Sequence, residues 1–153
     1  MKKLNSWISA ARLRTLPLSV SGIIVGTTIA VQHGYFNIAI FSLALGTTLG
    51  LQVLSNFAND YGDGVKGTDN EDRVGPERAL QSGLITRAEM KQGIIITAIG
   101  TLLLAILLIY AAFGKENLLF ALMFFLLGVA AIAAAIKYTV GESAYGYRGL
   151  GDV

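Results

Sequence analysis

Gln52-Val-Leu-Ser-Asn56-Phe-Ala-Asn59-Asp60-Tyr-Gly-Asp63-Gly-Val-Lys66-Gly-Thr-Asp69-Asn-Glu-Asp72-Arg73 begins inside an apolar segment and ends in a loop dense with charge. Asn56, Asn59, Asp60 and Asp63 stand at i, i+3, i+4 and i+7, the spacing of one helical stripe. Gln52 extends that stripe one turn back. Amides and carboxylates at the end of an apolar helix cost free energy unless they face a wet or ion-filled cavity, so the stripe marks a functional site.

Working outward, the rest of the chain is poor in charge. Of 153 residues, 54% are hydrophobic and 14% charged, and the mean hydropathy is +0.60. Soluble domains carry roughly 25% charged residues. The deficit lies in long apolar runs, which predicts an all-α, multi-pass transmembrane helical bundle embedded in the lipid bilayer. The net charge of +2 gives no basis for binding nucleic acid. With no cysteine, disulfides, thiolate zinc sites and a cysteine nucleophile are excluded. The single His33 sits in a short Gln-His-Gly-Tyr loop with no partner at metal-ligand spacing, and reads as an ordinary loop residue.

Four spans are expected, at about 16–32, 38–60, 92–113 and 118–137, each near the roughly 20 residues that cross the hydrocarbon core. The first apolar run starts late, is long and lacks a small-x-small cleavage site, so it reads as a retained span and not as a signal peptide. Residues 1–15 read as an interfacial helix. Leu4, Trp7, Ile8 and Ala11 form its apolar face, and Lys3, Arg12 and Arg14 are polar. Pro17 suits the first turn of the helix that follows. Gly22-x-x-x-Gly26 and Gly46-x-x-x-Gly50 predict close helix packing. Gly62, Gly64, Gly67, Gly75 and Gly83, with Pro76, are expected to break the helix and shape the loop. Thr86-Arg-Ala-Glu89 reads as a capping box at the start of the third span.

Eleven of the twelve basic residues fall at the N-terminus, in 61–91 or after the fourth span; Lys115 alone lies on the other side. The positive-inside rule then places the N-terminus, the 61–91 loop and the C-terminus in the cytoplasm. Seven of the ten acidic residues lie between Asp60 and Glu89, interleaved with Lys66, Arg73, Arg78 and Arg87. Oxygen ligands without His or Cys suit Mg²⁺ or Ca²⁺ and not zinc. Neither the EF-hand spacing nor a P-loop is present. Carboxylates and cations at one membrane face suit a Mg²⁺-bound diphosphate, with apolar span walls beside it for a hydrocarbon tail.

Asn59-Asp-Tyr-Gly-Asp63, followed by Arg78-Ala-Leu-Gln-Ser-Gly83, resembles the first Asp-rich motif and the "RP-x-x-SG" segment of the UbiA superfamily of intramembrane prenyltransferases. The longer string from Leu51 to Asp69, Arg14-Thr-Leu-Pro-Leu, and the tail from Tyr138 to Asp152 look like its menaquinone-synthesis branch, which prenylates 1,4-dihydroxy-2-naphthoate. The resemblance implies eight or nine spans, of which four are present here. It implies Mg²⁺-dependent ionisation of an allylic polyprenyl diphosphate, and capture of the cation by a ring carbon of dihydroxynaphthoate with loss of CO₂. Carried over by position, Asn59 and Asp63 match the metal-binding pair, and Asp60, beside them in the same motif, is taken with them as a catalytic and metal-binding candidate. Arg78 would contact diphosphate, with Lys66 and Arg73 as further phosphate contacts; Arg14, Asn56 and Tyr138 are candidates near the substrates. Gly67 stands where the family often has a third acid.

The family's second Asp-rich motif does not occur within 1–153, so the sequence reads as the N-terminal part of a single prenyltransferase domain, and this portion alone is expected to be inactive. A bacterial cytoplasmic (inner) membrane follows from the resemblance. Two other readings are a family member acting on hydroxybenzoate, haem or a chlorophyll precursor, and a cation-coupled transporter subunit using the stripe as an ion path. The transporter reading does not explain why the charges gather at a membrane face and not at the bilayer midplane.

Overall fold

The computed structural model describes residues 2–68 and 78–150, and among them it is entirely helical. α1 spans Lys2–Ala11 and passes through a 3₁₀ turn, Leu13–Thr15, into α2, Leu16–Gln32. α3 spans Ile38–Lys66, α4 Arg87–Phe113 and α5 Leu118–Lys137; a second 3₁₀ turn, Tyr145–Arg148, follows. Four helical stretches are long and apolar enough to cross a membrane.

α3 is the hub and packs against α1, α2, α4 and α5. The Asn37 side chain caps its start by accepting from the amides of Ala39 and Ile40. At 29 residues it is about 44 Å long at 1.5 Å per residue, against a hydrocarbon core of about 30 Å. It is thus several turns longer than a span needs, and the polar stripe occupies its C-terminal turns. The helix passes the expected limit at 60 and ends at Gly67, whose φ of 75° is the left-handed cap that a glycine supplies without strain.

Gly62 and Gly64, expected to break this helix, lie inside it. A β-carbon on Gly62 would stand 2.5 Å from the Thr139 carbonyl oxygen, and one on Gly64 would stand 2.4 Å from the Leu80 side chain. They serve close approach, of the chain after α5 and of the 78–86 loop respectively. Gly46 and Gly50 behave as expected: β-carbons there would meet Leu104 at 3.4 Å and Thr101 at 2.4 Å on α4. The α2 pair does not. Added β-carbons at Gly22 and Gly26 meet nothing within 4 Å, and α2 buries no residue.

The buried core sits at the loop end of the bundle, where Ala10, Leu54, Phe57, Ala79, Ile85, Met90 and Ile94 meet. α1 belongs to this core more than to the membrane surface. Ser6 and Ala10 are buried, and Trp7 and Ala11 pack on the core, while Leu4 and Ile8 of the expected apolar face are exposed. Trp7 meets the Phe57 ring edge-on at 5.2 Å and leaves no room for a side chain at position 93. Small residues on that face let α1 approach closely enough to seat the indole. α4 begins at Arg87, five residues before the expected span, behind a complete capping box of Thr86 and Glu89. Lys3 reaches the same carboxylate from α1.

Candidate functional site

The polar stripe of α3 divides among three neighbours. Its inner part, Gln52 and Asn56, faces the junction of α1 and α2. Asn56 is buried, and its Nδ2 donates to the Ala11 carbonyl at 2.9 Å and to Thr15 Oγ1 at 3.4 Å. Gln52 Nε2 donates to the same Thr15 hydroxyl at 3.4 Å. These amides satisfy backbone and hydroxyl oxygens at the α1–α2 turn, so here Asn56 ties elements together.

Asp60 lies about 100° round the helix from Asn59, as 3.6 residues per turn requires. It is 1% exposed and lines a cavity of about 300 Å³ with Arg12, Arg14 and Arg78. Ser9, Ala10, Leu13 and Ala79 complete most of the wall. Three arginines and one aspartate among the lining residues leave this cavity with net positive charge, which suits an anionic group. Arg12 was not singled out from the sequence. It is the one non-glycine residue with positive φ, at 52°, among the described residues. That conformation costs roughly 1 kcal/mol or more and recurs where function needs a particular geometry. Thr15 holds it by donating its amide and its hydroxyl, both at 2.9 Å, to the Arg12 carbonyl.

Asn59 and Asp63 form the third part, one turn apart at the half-buried end of α3. Both face the segment that follows α5. The Thr139 hydroxyl lies 2.9 Å from the Ala58 carbonyl and 3.2 Å from Asn59 Oδ1. Asp63 Oδ1 accepts from the Tyr147 hydroxyl at 2.5 Å. Lys66, in the last turn of α3, sits with Nζ 3.7 Å from the centre of the Tyr147 ring. Tyr138 caps α5 and packs edge-on against Tyr145 at 5.4 Å, in line with the turn and outside the Asn59–Asp63 pair. Arg73 lies outside the described residues, as do Asp69, Glu71, Asp72 and Glu77.

The donor set fits Mg²⁺ in kind. Asn59 and Asp63 offer an amide oxygen and a carboxylate, and Mg²⁺ takes one or two carboxylates and completes its octahedron with water and phosphate. Among the described residues, no three His, Cys, Asp or Glu side chains gather closely enough to hold a metal by themselves. The structure thus brings Asn59, Asp63 and Lys66 together, sets Asp60, Arg14 and Arg78 round a neighbouring cavity, and gives Asn56 a packing role. Thr139 and Tyr147 escaped the sequence reading because their partners lie 80 and 84 residues away.

The UbiA prenyltransferase family model matches residues 19–153. Over 153 residues the chain is 46% identical to 1,4-dihydroxy-2-naphthoate octaprenyltransferase of Escherichia coli (strain K12), covering 100% of this chain and 49% of that protein. It is 47% identical over 155 residues to the protein of the same name from Haemophilus influenzae, covering 99% and 49% respectively. Against the protein of that name from Mycobacterium tuberculosis, identity is 36% over 157 residues, with 100% and 49% covered. The chain spans about half the length of the curated relatives it matches. No solved structure matches.

Proposed function

Because the chain belongs to the UbiA prenyltransferase family, an integral membrane family, we propose that residues 1–153 carry the first metal and diphosphate motif of a menaquinone-pathway prenyltransferase. The reaction moves a polyprenyl group from an allylic polyprenyl diphosphate to 1,4-dihydroxy-2-naphthoate. The allylic C–O bond breaks with its electron pair leaving on diphosphate. A new C–C bond forms at the ring, and CO₂ is lost. The acceptor is taken from what the relatives are named for.

Asn59 and Asp63 would hold Mg²⁺, which when bound neutralises charge on the departing diphosphate. Lys66 and Arg78 supply positive charge on either side of that stripe, with Arg73 as a further contact. Arg12 and Arg14 add to the cationic cavity, which the buried Asp60 also lines. Arg14, which lines the cationic cavity, remains a candidate substrate contact, whereas Asn56 is engaged by Ala11 and Thr15 and Tyr138 packs on Tyr145. The apolar spans beside this end offer lipid-like walls to the prenyl tail. The site faces the cytoplasm of a bacterial inner membrane, on the distribution of basic residues.

The observation that carries this reading is the Asn59–Asp63 pair, one turn apart in the C-terminal turns of a 29-residue α3 that is longer than the roughly 20 residues a span needs. The test is prenyl transfer in membranes containing the intact gene product, supplied with Mg²⁺, an allylic polyprenyl diphosphate and dihydroxynaphthoate. Asp63→Ala is expected to lower turnover by roughly 100-fold or more, the loss typical when a charge-stabilising group is removed. Unchanged turnover would remove Asp63 from the metal site. Product with hydroxybenzoate in place of dihydroxynaphthoate would move the chain to another branch of the family.

A further inference from the structure

Resting on the metal reading above, we propose that Tyr147 is a positioning residue, which fixes the Asp63 carboxylate so that Oδ2 is presented to a divalent cation. Among the described residues, the two hydrogen bonds to this carboxylate fall on one oxygen. Tyr147 donates to Oδ1 at 2.5 Å, and the Thr68 hydroxyl stands 3.5 Å from the same atom. Among the described residues Oδ2 receives none. The tyrosine is itself held: it sits in the 3₁₀ turn Tyr145–Arg148, closed by Gly149 at φ 74°. Gly146 N donates to the Tyr138 carbonyl at 2.9 Å, and the Tyr145 hydroxyl donates to the Ala134 carbonyl at 3.0 Å, so the turn is pinned to the end of α5.

Two effects of the Tyr147 bond oppose each other. A donor draws charge from the carboxylate and weakens it as a ligand. It also removes the rotational freedom that a half-exposed aspartate would lose on binding a cation. Outer-sphere partners of metal-binding carboxylates usually contribute 10–100-fold to affinity, so orientation outweighs charge withdrawal. Lys66 adds a second link. Its ammonium lies 3.7 Å from the ring centre, where it draws on the π face and makes the phenol a stronger donor. One side chain from the far end of the chain therefore sets both an acid meant for the metal and a cation meant for diphosphate.

Mn²⁺, read by its paramagnetic resonance, serves as the probe, with no turnover required. Tyr147→Phe keeps the ring under Lys66 and deletes only the hydroxyl; it is expected to weaken Mn²⁺ binding about 10-fold or more. Asp63→Asn is expected to abolish it. By linkage, Mn²⁺ must in turn slow amide exchange across 145–148 in the unaltered protein, a measurement that needs no variant. Wild-type affinity in Tyr147→Phe alongside loss in Asp63→Asn overturns the positioning role and leaves the metal reading standing. Tighter binding in Tyr147→Phe, or faster exchange with Mn²⁺, overturns it too, because the hydroxyl would then compete with the metal. Wild-type affinity in Asp63→Asn sinks the metal reading itself.

Discussion

Gly62 shows how closely the site depends on single atoms. A β-carbon there would stand 2.5 Å from the Thr139 carbonyl oxygen and 2.6 Å from the Thr139 Cβ, and the first of these is backbone that a rotamer change cannot move. Gly62→Ala must push the chain after α5 away from α3. The expected cost is about 1–3 kcal/mol, the usual range for overpacking, together with loss of the Thr139 contact to Asn59. Thermal unfolding in detergent reads the first, and a variant as stable as the parent would show that the two segments are not in contact. What could be read from the sequence at this scale was local. The i, i+4 spacing of Asn59 and Asp63, and their place at the end of an apolar run, need only helical geometry. Arg12 and Tyr147 were invisible for opposite reasons. One depends on a backbone angle that no residue preference announces, the other on a contact that closes a loop of more than 80 residues.

At the level of elements, the apolar parts of α3 and α4 were legible, because apolar runs and the Thr86–Glu89 box are written in short windows, whereas the polar last turns of α3 and first turn of α4 lay beyond the expected spans. α1 was legible as a helix but not in its orientation. Its periodicity offers Leu4, Trp7, Ile8 and Ala11 as one face, yet the packed face is Ser6, Trp7, Ala10 and Ala11. Small residues win because they let the helix backbone come near, and burial of the Trp7 ring then exceeds what exposed leucine would gain. Gly22 and Gly26 meet no described helix: two glycines announce a close approach only where a partner helix arrives, and the chain spans about half the length of its relatives. The α1 packing has a direct test. Trp7→Ala removes the edge contact with Phe57 at 5.2 Å and empties the space over Gly93. The ring is only partly buried, so the expected loss is roughly 2–3 kcal/mol, below the 3–5 of a full core deletion. Denaturation of the purified protein measures it. No change would return α1 to the membrane surface.

Across the whole molecule, the asymmetry of charge and the asymmetry of packing coincide. The end that gathers the basic residues also holds the buried core, the cationic cavity and the Asn59–Asp63 pair, whereas the opposite end has the short loops at 33–37 and 114–117. α2 and α5 bury no residue and present apolar surfaces. On the proposed orientation, eleven of the twelve basic residues lie on the cytoplasmic side and Lys115 on the other, and turning the molecule over would exchange them. Because the chain contains no cysteine, each cysteine introduced reports from one place only. His33→Cys, in the loop after α2, is expected to react with a membrane-impermeant maleimide in intact cells whose outer membrane has been opened. Glu142→Cys, after α5, is expected to react only once the inner membrane is permeabilised. Both positions are exposed, so burial does not limit labelling. The reverse pattern would put Asp63 and its neighbours on the outer side and overturn the proposed orientation.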